Sequence, residues 1–296
     1  MRRVLILSGA CLLACAMLLL WGFAGTGAQT VQSEPMEVLL LVEDDTGSFP
    51  MQLRKGLQEA VQSLGGRLSV ETPAGIPPDA PDDAFMPYNA VCLLVPQPKA
   101  LLDKLKRLSI PAILLDEEIR GESCVIFDEE EGARQLGLLA ARTYPAGILH
   151  IWADETAPVQ ALRLKGLLKA FEGRQTMIHA GDTLPGQLED AACLIALSGG
   201  KTQQAAARKS AGTLPGGLPL YSFDSGETSV KLMEDGLLQA AAASSPYAMG
   251  YTAGAMLGQL QSDQLKPSLR FVALRLVTPE TLYDADNVKE MFPLLQ

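Results

Sequence analysis

From residue 36 onward, short apolar runs alternate with segments whose apolar residues recur at helical spacing. This alternation is typical of βαβ units, because a parallel strand needs a crossover, usually a helix, to return to the same edge of its sheet. The first unit is a strand over residues 37–42 and a helix with Leu53 and Leu57 on one face, ended by Gly65. The pattern predicts an α/β protein with mainly parallel sheets.

The later apolar runs predict further strands over residues 67–71, 90–95, 112–115, 124–127, 147–152, 177–180, 192–197 and 218–223. Residues 73–87 are rich in proline and aspartate and predict an exposed loop. The chain has 296 residues, of which 48% are hydrophobic, and this supports two modest cores better than one large core. We therefore expect a two-lobed molecule.

The net charge argues against one class of function, and the cysteines argue against a disulfide-stabilised fold. A formal net charge of -10 argues against a nucleic-acid surface, which needs a basic face to neutralise phosphates. Two of the five cysteines lie near the N-terminus, and Cys92, Cys124 and Cys193 each lie in an apolar stretch. Three scattered cysteines do not form a disulfide framework, so we expect buried thiols that behave as small apolar residues.

The N-terminus predicts export. Arg2 and Arg3 precede an uncharged run over residues 4–23, which is about the 20 residues that span a bilayer. The basic start places the following chain outside the cytoplasmic membrane. Three outcomes stay open for this segment: retention as an anchor, cleavage after Ala28, and lipidation of Cys15. We expect an extracytoplasmic protein of the cell envelope, with a signal or anchor and a tether over residues 1–35.

Several passages resemble the type I periplasmic sugar-binding proteins. LPLYSFD at 218–224 looks like the family's strand ending in Phe-Asp, and SPYAMGY at 245–251 resembles its Pro-Tyr-x-Met-Gly passage. EDGLLQAA at 234–241, IPAILLD at 110–116 and RLKGL at 163–167 fit in order and spacing, so that the resemblance covers nearly all of residues 36–283.

The resemblance implies a two-lobed periplasmic-binding-protein type I fold with three crossings between lobes and a ligand cleft between them. By analogy, the first lobe comprises residues 36–126 with 243–268, and the second comprises 127–242 with 269–296.

Ligands of open parallel sheets bind beyond the carboxyl ends of the strands. The predicted ligand-binding residues follow these ends or match the resembled family: Asp45, Phe49, Asp116, Asp128, Trp152, Arg163 and Asp224. Carboxylates accept paired hydrogen bonds from vicinal hydroxyls, and aromatic faces cover the apolar side of a sugar ring. This mixture indicates a site for a sugar-like small molecule.

Some of these residues have a second interpretation. An aspartate between a strand and a helix is also a common helix N-cap, and this alternative stays open for Asp44, Asp45 and Asp128. Phe49 is open between ligand stacking and lobe packing, and Trp152 between ligand contact and core packing.

The site also departs from the resembled family. Glu117 stands where the family often has arginine, Glu129 where it has asparagine, Ser198-Gly199 where it has Asn-Asp, and Ser244 where it has an amide. An unpaired sugar hydroxyl in a closed cleft costs about 1 to 3 kcal/mol, so these departures predict an unusual ligand, a cationic ligand or none.

The candidate enzymatic motifs of the sequence are incomplete. Gly199-Gly200-Lys201-Thr202 suggests a phosphate loop, but Ile195 stands where that motif needs glycine. His150 and His179 are the two histidines of the chain, and neither has a second ligand at metal spacing. We therefore predict no catalytic residues, no metal, no cofactor and no enzymatic activity.

Two functions follow. The first is a solute-binding protein for a sugar-like ligand that feeds an ABC permease through hinge closure of its lobes. The alternative is a membrane-tethered sensor domain whose open and closed forms signal to a sensor kinase or another protein partner.

Overall fold

The structure is a computed structural model that describes residues 35–291, apart from 97, 185–187, 189 and 260–266. Residues Met36–Gln296 form one compact unit. The predicted export segment and tether fall in residues 1–34, which lie outside the described residues. In the part of the chain that is described, no helix is long and apolar enough to cross a membrane.

The described strands, in chain order, are β1 Glu37–Val42, β2 Arg67–Glu71, β3 Ala90–Leu94, β4 Ala112–Leu115, β5 Ser123–Phe127, β6 Ile148–Ala153, β7 Thr176–Ala180, β8 Ala191–Ala196, β9 Leu220–Ser222, β10 Ala240–Ala243, β11 Leu269–Val272 and β12 Arg275–Val277. The α-helices are α1 Ser48–Ser63, α2 Lys99–Arg107, α3 Glu129–Thr143, α4 Pro158–Ala170, α5 Gly199–Ser210, α6 Glu227–Glu234, α7 Pro246–Leu257 and α8 Ala285–Met291. A 3-10 turn spans Asp82–Ala84.

The strands form two six-stranded sheets. The first has the order β11-β5-β4-β3-β1-β2 and the second the order β12-β10-β9-β8-β6-β7. The first sheet is parallel throughout, and in the second β12 runs antiparallel to β10. The predicted two-lobed α/β class is confirmed.

Helices cover both faces of each sheet, and this explains why the strands read as continuous apolar runs. In β1, Val38 and Leu40 belong to one buried cluster, whereas Leu39 and Leu41 belong to another on the opposite face. The second sheet has a buried cluster on each face in the same way. Residues 36–291 therefore supply the cores of both lobes. Cys92, Cys124 and Cys193 are buried free thiols within them, as expected.

The chain crosses between the lobes three times: from β5 into α3, from β10 into α7, and from β11 to β12. From the sequence, we expected the chain to return to the second lobe after residue 268. The structure differs, because β11 still pairs with β5 in the first sheet, and the last crossing lies between Val272 and Arg275. Strands β10, β11 and β12 were not among the strands predicted from the apolar runs.

Each lobe contains one pair of helices in backbone contact. In the first lobe α1 packs on α7, where a Cβ on Gly56 would lie 2.0 Å from the Tyr247 carbonyl oxygen. In the second lobe α3 packs on α4, where a Cβ on Gly166 would lie 2.0 Å from the Glu130 carbonyl oxygen. Glycine is required at both positions because any side chain would overlap backbone atoms. The approach of α4 to the first turn of α3 positions the charged groups described next.

Candidate functional site

The centre of the site is an ion pair between α3 and α4. Arg163 Nε donates to Glu129 Oε2 at 2.6 Å, and Nη2 donates to Glu129 Oε1 at 2.9 Å. The third guanidinium nitrogen, Nη1, donates to the Leu197 carbonyl oxygen at 2.8 Å. The Arg163 and Glu129 side chains are only 14% and 9% exposed. This is a two-pronged, nearly buried pair, the geometry in which arginine binds a carboxylate most strongly.

The place of this pair is set by local structure. Glu129 is the first residue of α3, and Arg163 lies on α4 three residues before Gly166. Because Gly166 lets α4 rest on the backbone of the first turn of α3, the guanidinium reaches the carboxylate that begins that helix. The guanidinium also lies over the Phe223 ring, 4.8 Å from its centroid, which adds a cation–π contact.

Asp224 approaches the same guanidinium from β9. A Cβ on Gly199 would lie 2.8 Å from Asp224 Oδ2, so the carboxylate packs on the first residue of α5. The Ser225 backbone amide donates to Asp224 Oδ1 at 2.9 Å. Removal of surrounding water raises the pKa of the Asp224 carboxyl, and the Ser225 amide and Arg163 oppose that rise. Asp224 is thus a carboxylate held at a helix N-terminus and partly sheltered from water.

Asp116 belongs to the first lobe and faces the same charges. It follows β4 and adopts a left-handed φ of 59°. Although the residue keeps an exposed surface, loss of surrounding water raises the pKa of its carboxyl to about 6. Repulsion from Glu129 adds to the rise, and attraction to Arg163 opposes it. Asp116 of one lobe and Asp224 of the other therefore each interact electrostatically with Arg163.

Two aromatic residues differ in their exposure to this site. Phe49 packs edge-on against Phe127, with ring centroids 6.3 Å apart, and borders the core of the first lobe. Phe49 is half-buried, so it combines lobe packing with a face that a ligand can reach. Trp152, in contrast, is 1% exposed and lies inside the core of the second lobe. Its Nε1 donates to the Gly181 carbonyl oxygen at 3.0 Å, so its side chain packs in the core and has no surface for a ligand here.

The remaining predicted residues lie at the margin. Asp128 caps α3, because its Oδ1 accepts from the Glu131 backbone amide at 3.2 Å. Asp45 is exposed in the loop after β1. Neither it nor Asp44 caps α1, whose N-cap is Gly47 without a side-chain hydrogen bond. Asp44 instead accepts from the Thr46 amide at 2.8 Å, which closes a local turn.

A depression of about 390 Å³ lies beside the ion pair, where β5 passes into α3. Its apolar lining is Ile126, Phe127, Leu162 and Phe271, and its charged lining consists of Glu118, Asp128, Glu129, Glu130 and Glu131. The charged residues that line this depression are therefore all acidic, but cations beside it pair with three of them: Arg163 with Glu129, Lys165 and Lys169 with Glu130, and Arg134 with Glu131.

The sequence did not predict the role of Glu129. It was identified there only as a departure from asparagine, whereas the structure makes it the partner of Arg163. Both residues were noted in the sequence, Glu129 as a departure from the resembled family and Arg163 as a predicted ligand-binding residue. What was missing was the distance between the two helices.

Comparisons with known proteins identify the fold. No family model matches the chain, and no curated protein is significantly similar to it. Solved structures are similar. A sugar ABC transport system substrate-binding protein from Bordetella parapertussis has a TM-score of 0.71 and 12% identity, over 88% of this chain and 95% of that chain. An ABC transporter solute-binding protein from Agrobacterium vitis, bound with alpha-D-tagatopyranose, has a TM-score of 0.69 and 16% identity, over 86% of this chain and 99% of that one.

A further similar structure is a mutant XylFII–LytSN complex, with a TM-score of 0.66 and 14% identity, over 83% of this chain and 98% of that chain. At these identities the similarity establishes the architecture. The chain has the two-lobed type I periplasmic binding fold of sugar ABC transporter solute-binding proteins.

Proposed function

We propose that the protein is an extracytoplasmic solute-binding protein that captures a sugar-like small molecule between its lobes and feeds an ABC transporter. The observation that carries this proposal is that Asp116 from the first lobe and Asp224 from the second both interact electrostatically with Arg163. Carboxylates on both sides of a cleft accept hydrogen bonds from a polyhydroxylated ligand only when the lobes approach each other. Binding is thereby coupled to closure.

The hinge of this closure consists of the three crossings. We assign residues 36–126 with 243–272 to the first lobe and 127–242 with 273–296 to the second, which keeps the predicted division except at the last return. Phe49 and Phe127 border the first-lobe side of the cleft, and Phe223 lies under Arg163 on the second-lobe side. Of these rings, the half-buried Phe49 offers apolar surface for one face of a sugar ring, whereas Phe127 and Phe223 are almost fully buried.

Three further parts of the proposal rest on sequence and comparison. The basic and apolar N-terminus supports export and attachment to the membrane. Several similar structures are named as binding proteins, and this favours binding without turnover. Two more similar solute-binding proteins, both from Agrobacterium species, are named as bound with D-fucose and as in complex with D-arabinose, so pentoses and hexoses are the first ligands to test.

A thermal-shift screen of residues 36–296 tests the proposal. The panel contains D-fucose, D-tagatose, D-arabinose, further pentoses and hexoses, and polyols. A ligand that binds only the folded state at a hundredfold excess over its dissociation constant stabilises it by about 2.7 kcal/mol. We expect at least one compound to raise the melting temperature.

The matched variants are Asp224→Asn and Asp79→Asn. Loss of a charge-assisted hydrogen bond costs about 1.5 to 3 kcal/mol, so Asp224→Asn should weaken affinity by about tenfold to a hundredfold. Asp79 lies on the exposed proline-rich loop, and its variant should bind like the original chain. An equal response of both variants to the ligand would place the site elsewhere.

Sensing is the second candidate, and the similarity to a XylFII–LytSN complex favours it. In this function a sensor kinase or another membrane protein, instead of a permease, binds the closed form. Deletion of the gene separates the two functions once a ligand is known. Loss of uptake of the labelled ligand indicates transport, and normal uptake with loss of the ligand-induced transcriptional response indicates sensing.

A further inference from the structure

The Arg163 guanidinium is occupied before any ligand arrives. Each of its three nitrogens donates a hydrogen bond to the protein itself, two to the Glu129 carboxylate and one to the Leu197 carbonyl. One ring face of Phe223 covers it as well. An arginine in a binding cleft binds the carboxylate of an acidic ligand through two such parallel hydrogen bonds. Glu129 therefore occupies the position that a ligand carboxylate would take.

The burial of the pair makes this occupation hard to reverse. The Glu129 side chain is 9% exposed and that of Arg163 is 14% exposed, so an incoming anion can take the two-pronged position on Arg163 only by displacing a nearly buried carboxylate. The displaced carboxylate would then lie unpaired among like charges, since Asp116 already interacts repulsively with it. Leaving a buried charge without its partner is strongly unfavourable.

The charges around the pair act in the same direction. Asp116 and Asp224 both interact with Arg163, whose single positive charge is already balanced by Glu129. In the depression beside Glu129 the neighbouring cations are engaged as well, since Lys165 and Lys169 pair with Glu130 and Arg134 pairs with Glu131. An anionic ligand is thus opposed both by the loss of the pair and by the two further carboxylates that interact with Arg163.

We propose that Glu129 is a specificity-determining residue that occupies Arg163 as a built-in carboxylate and thereby excludes anionic ligands. This inference deepens the proposed function, on which it rests, and restricts its ligand to uncharged or positively charged molecules. Replacing Glu129 by an uncharged residue of the same shape converts Arg163 into an anion site. The change is a gain of binding, which a merely structural role of Glu129 does not produce.

The test compares Glu129→Gln with the original chain, both as residues 36–296, the unit that contains both cores. Melting is followed by circular dichroism in 0.15 M sodium chloride while sodium glucuronate or sodium sulfate is titrated; sulfate needs no fit to a sugar ring. We expect Glu129→Gln to bind both anions with saturation and at least about tenfold more tightly than the original chain, as a two-pronged charge-assisted contact predicts.

Two controls isolate Arg163. Glu131→Gln changes the net charge by the same amount on the same helical turn, but removes a carboxylate that pairs with Arg134 at the surface. It should respond to anions like the original chain. The double variant Glu129→Gln with Arg163→Met should lose the gain, because the cation is absent. Equal anion affinities of Glu129→Gln and either the original chain or this double variant would overturn the proposal.

A second comparison serves if Glu129→Gln alone does not fold. Removing both charges of a buried pair is often neutral for stability, so the double variant remains usable. The proposal predicts that the original chain and the double variant respond equally to anions, because Arg163 is occupied in the first and absent in the second. A stronger response of the original chain would show that Arg163 is open to anions and would refute the role of Glu129. Neither comparison requires the natural ligand, so failure of the sugar screen is a separate result.

Discussion

The contact between α3 and α4 can be tested at Gly166. A Cβ at this position would lie 2.0 Å from the Glu130 carbonyl oxygen and 2.8 Å from the Ala133 Cβ. Ordinary contact begins at 3.4 Å, so Gly166→Ala requires the helices to separate by about 1.4 Å. The overlap is with backbone, which cannot rotate away as a side chain does.

The expected loss of stability follows from two opposing effects. Overpacking of this kind costs about 3 kcal/mol at the upper end of its range, and alanine in a helix interior regains about 1 kcal/mol over glycine. We expect Gly166→Ala to lower the free energy of unfolding by about 2 kcal/mol. The Arg163 Nε to Glu129 Oε2 distance, now 2.6 Å, should lengthen as α4 moves away.

Urea denaturation followed by circular dichroism measures the effect, and Gly200→Ala is its matched control. Gly200 is also helical, but no atom lies within 4 Å of the position that a Cβ would take there. Because Gly200 lies in the first turn of its helix, the same substitution there should stabilise the fold by at most about 0.5 to 1 kcal/mol. Opposite signs for the two variants support the packing argument. If Gly166→Ala is as stable as the original chain or more stable, α3 and α4 do not approach each other as closely as the 2.0 Å distance requires.

Three further predictions concern single side chains. Asp128→Ala should lower the free energy of unfolding by about 0.5 to 2 kcal/mol through loss of the α3 cap, and an unchanged urea midpoint would show that the cap contributes nothing. Trp152→Phe loses the bond to the Gly181 carbonyl and should cost about 1 kcal/mol of stability while calorimetry finds ligand affinity unchanged; weaker binding at equal stability would contradict its placement in the core. The pKa of Asp116 is raised to about 6 from an ordinary value of 3.8, so its charge opposes folding above pH 6 and ceases to do so as the pH falls toward 4. Asp116→Asn should therefore melt at a higher temperature than the original chain at pH 7.5 and at the same temperature near pH 4, and an equal difference at both pH values would refute the assignment.

The sheets were largely predictable because their strands are buried on both faces. A continuous apolar run such as β1 or β8 can satisfy its environment only between two layers of helices, and the sequence shows this directly. Strands β11 and β12 are short and partly exposed, with Phe271 at 56% exposure, and they share the apolar stretch LRFVALRLV at 269–277, so the sequence does not show where one strand ends and the next begins. They form only by pairing with strands distant in sequence or in the other direction, β11 with β5 and β12 antiparallel to β10.

The candidate site was predictable residue by residue but not in its contacts. The rule that ligands meet strand ends led to Asp116 and Asp224, and the structure brings both to Arg163. The same rule led to Trp152, yet β6 continues to Ala153 and turns the indole into the core. The bond between Glu129 and Arg163 joins residues 34 positions apart and depends on the approach at Gly166, which no local pattern reports.

Small-angle X-ray scattering of residues 36–296 tests most directly whether the two lobes close on a small molecule. Scattering is recorded without ligand and with each sugar and polyol of the screen at saturating concentration, for the original chain and for Asp224→Asn. If the lobes close on a ligand, at least one compound reduces the radius of gyration of the original chain, and Asp224→Asn needs a higher concentration for the same change. An unchanged radius with every compound would contradict capture by closure and would favour a fold that acts through a protein partner alone.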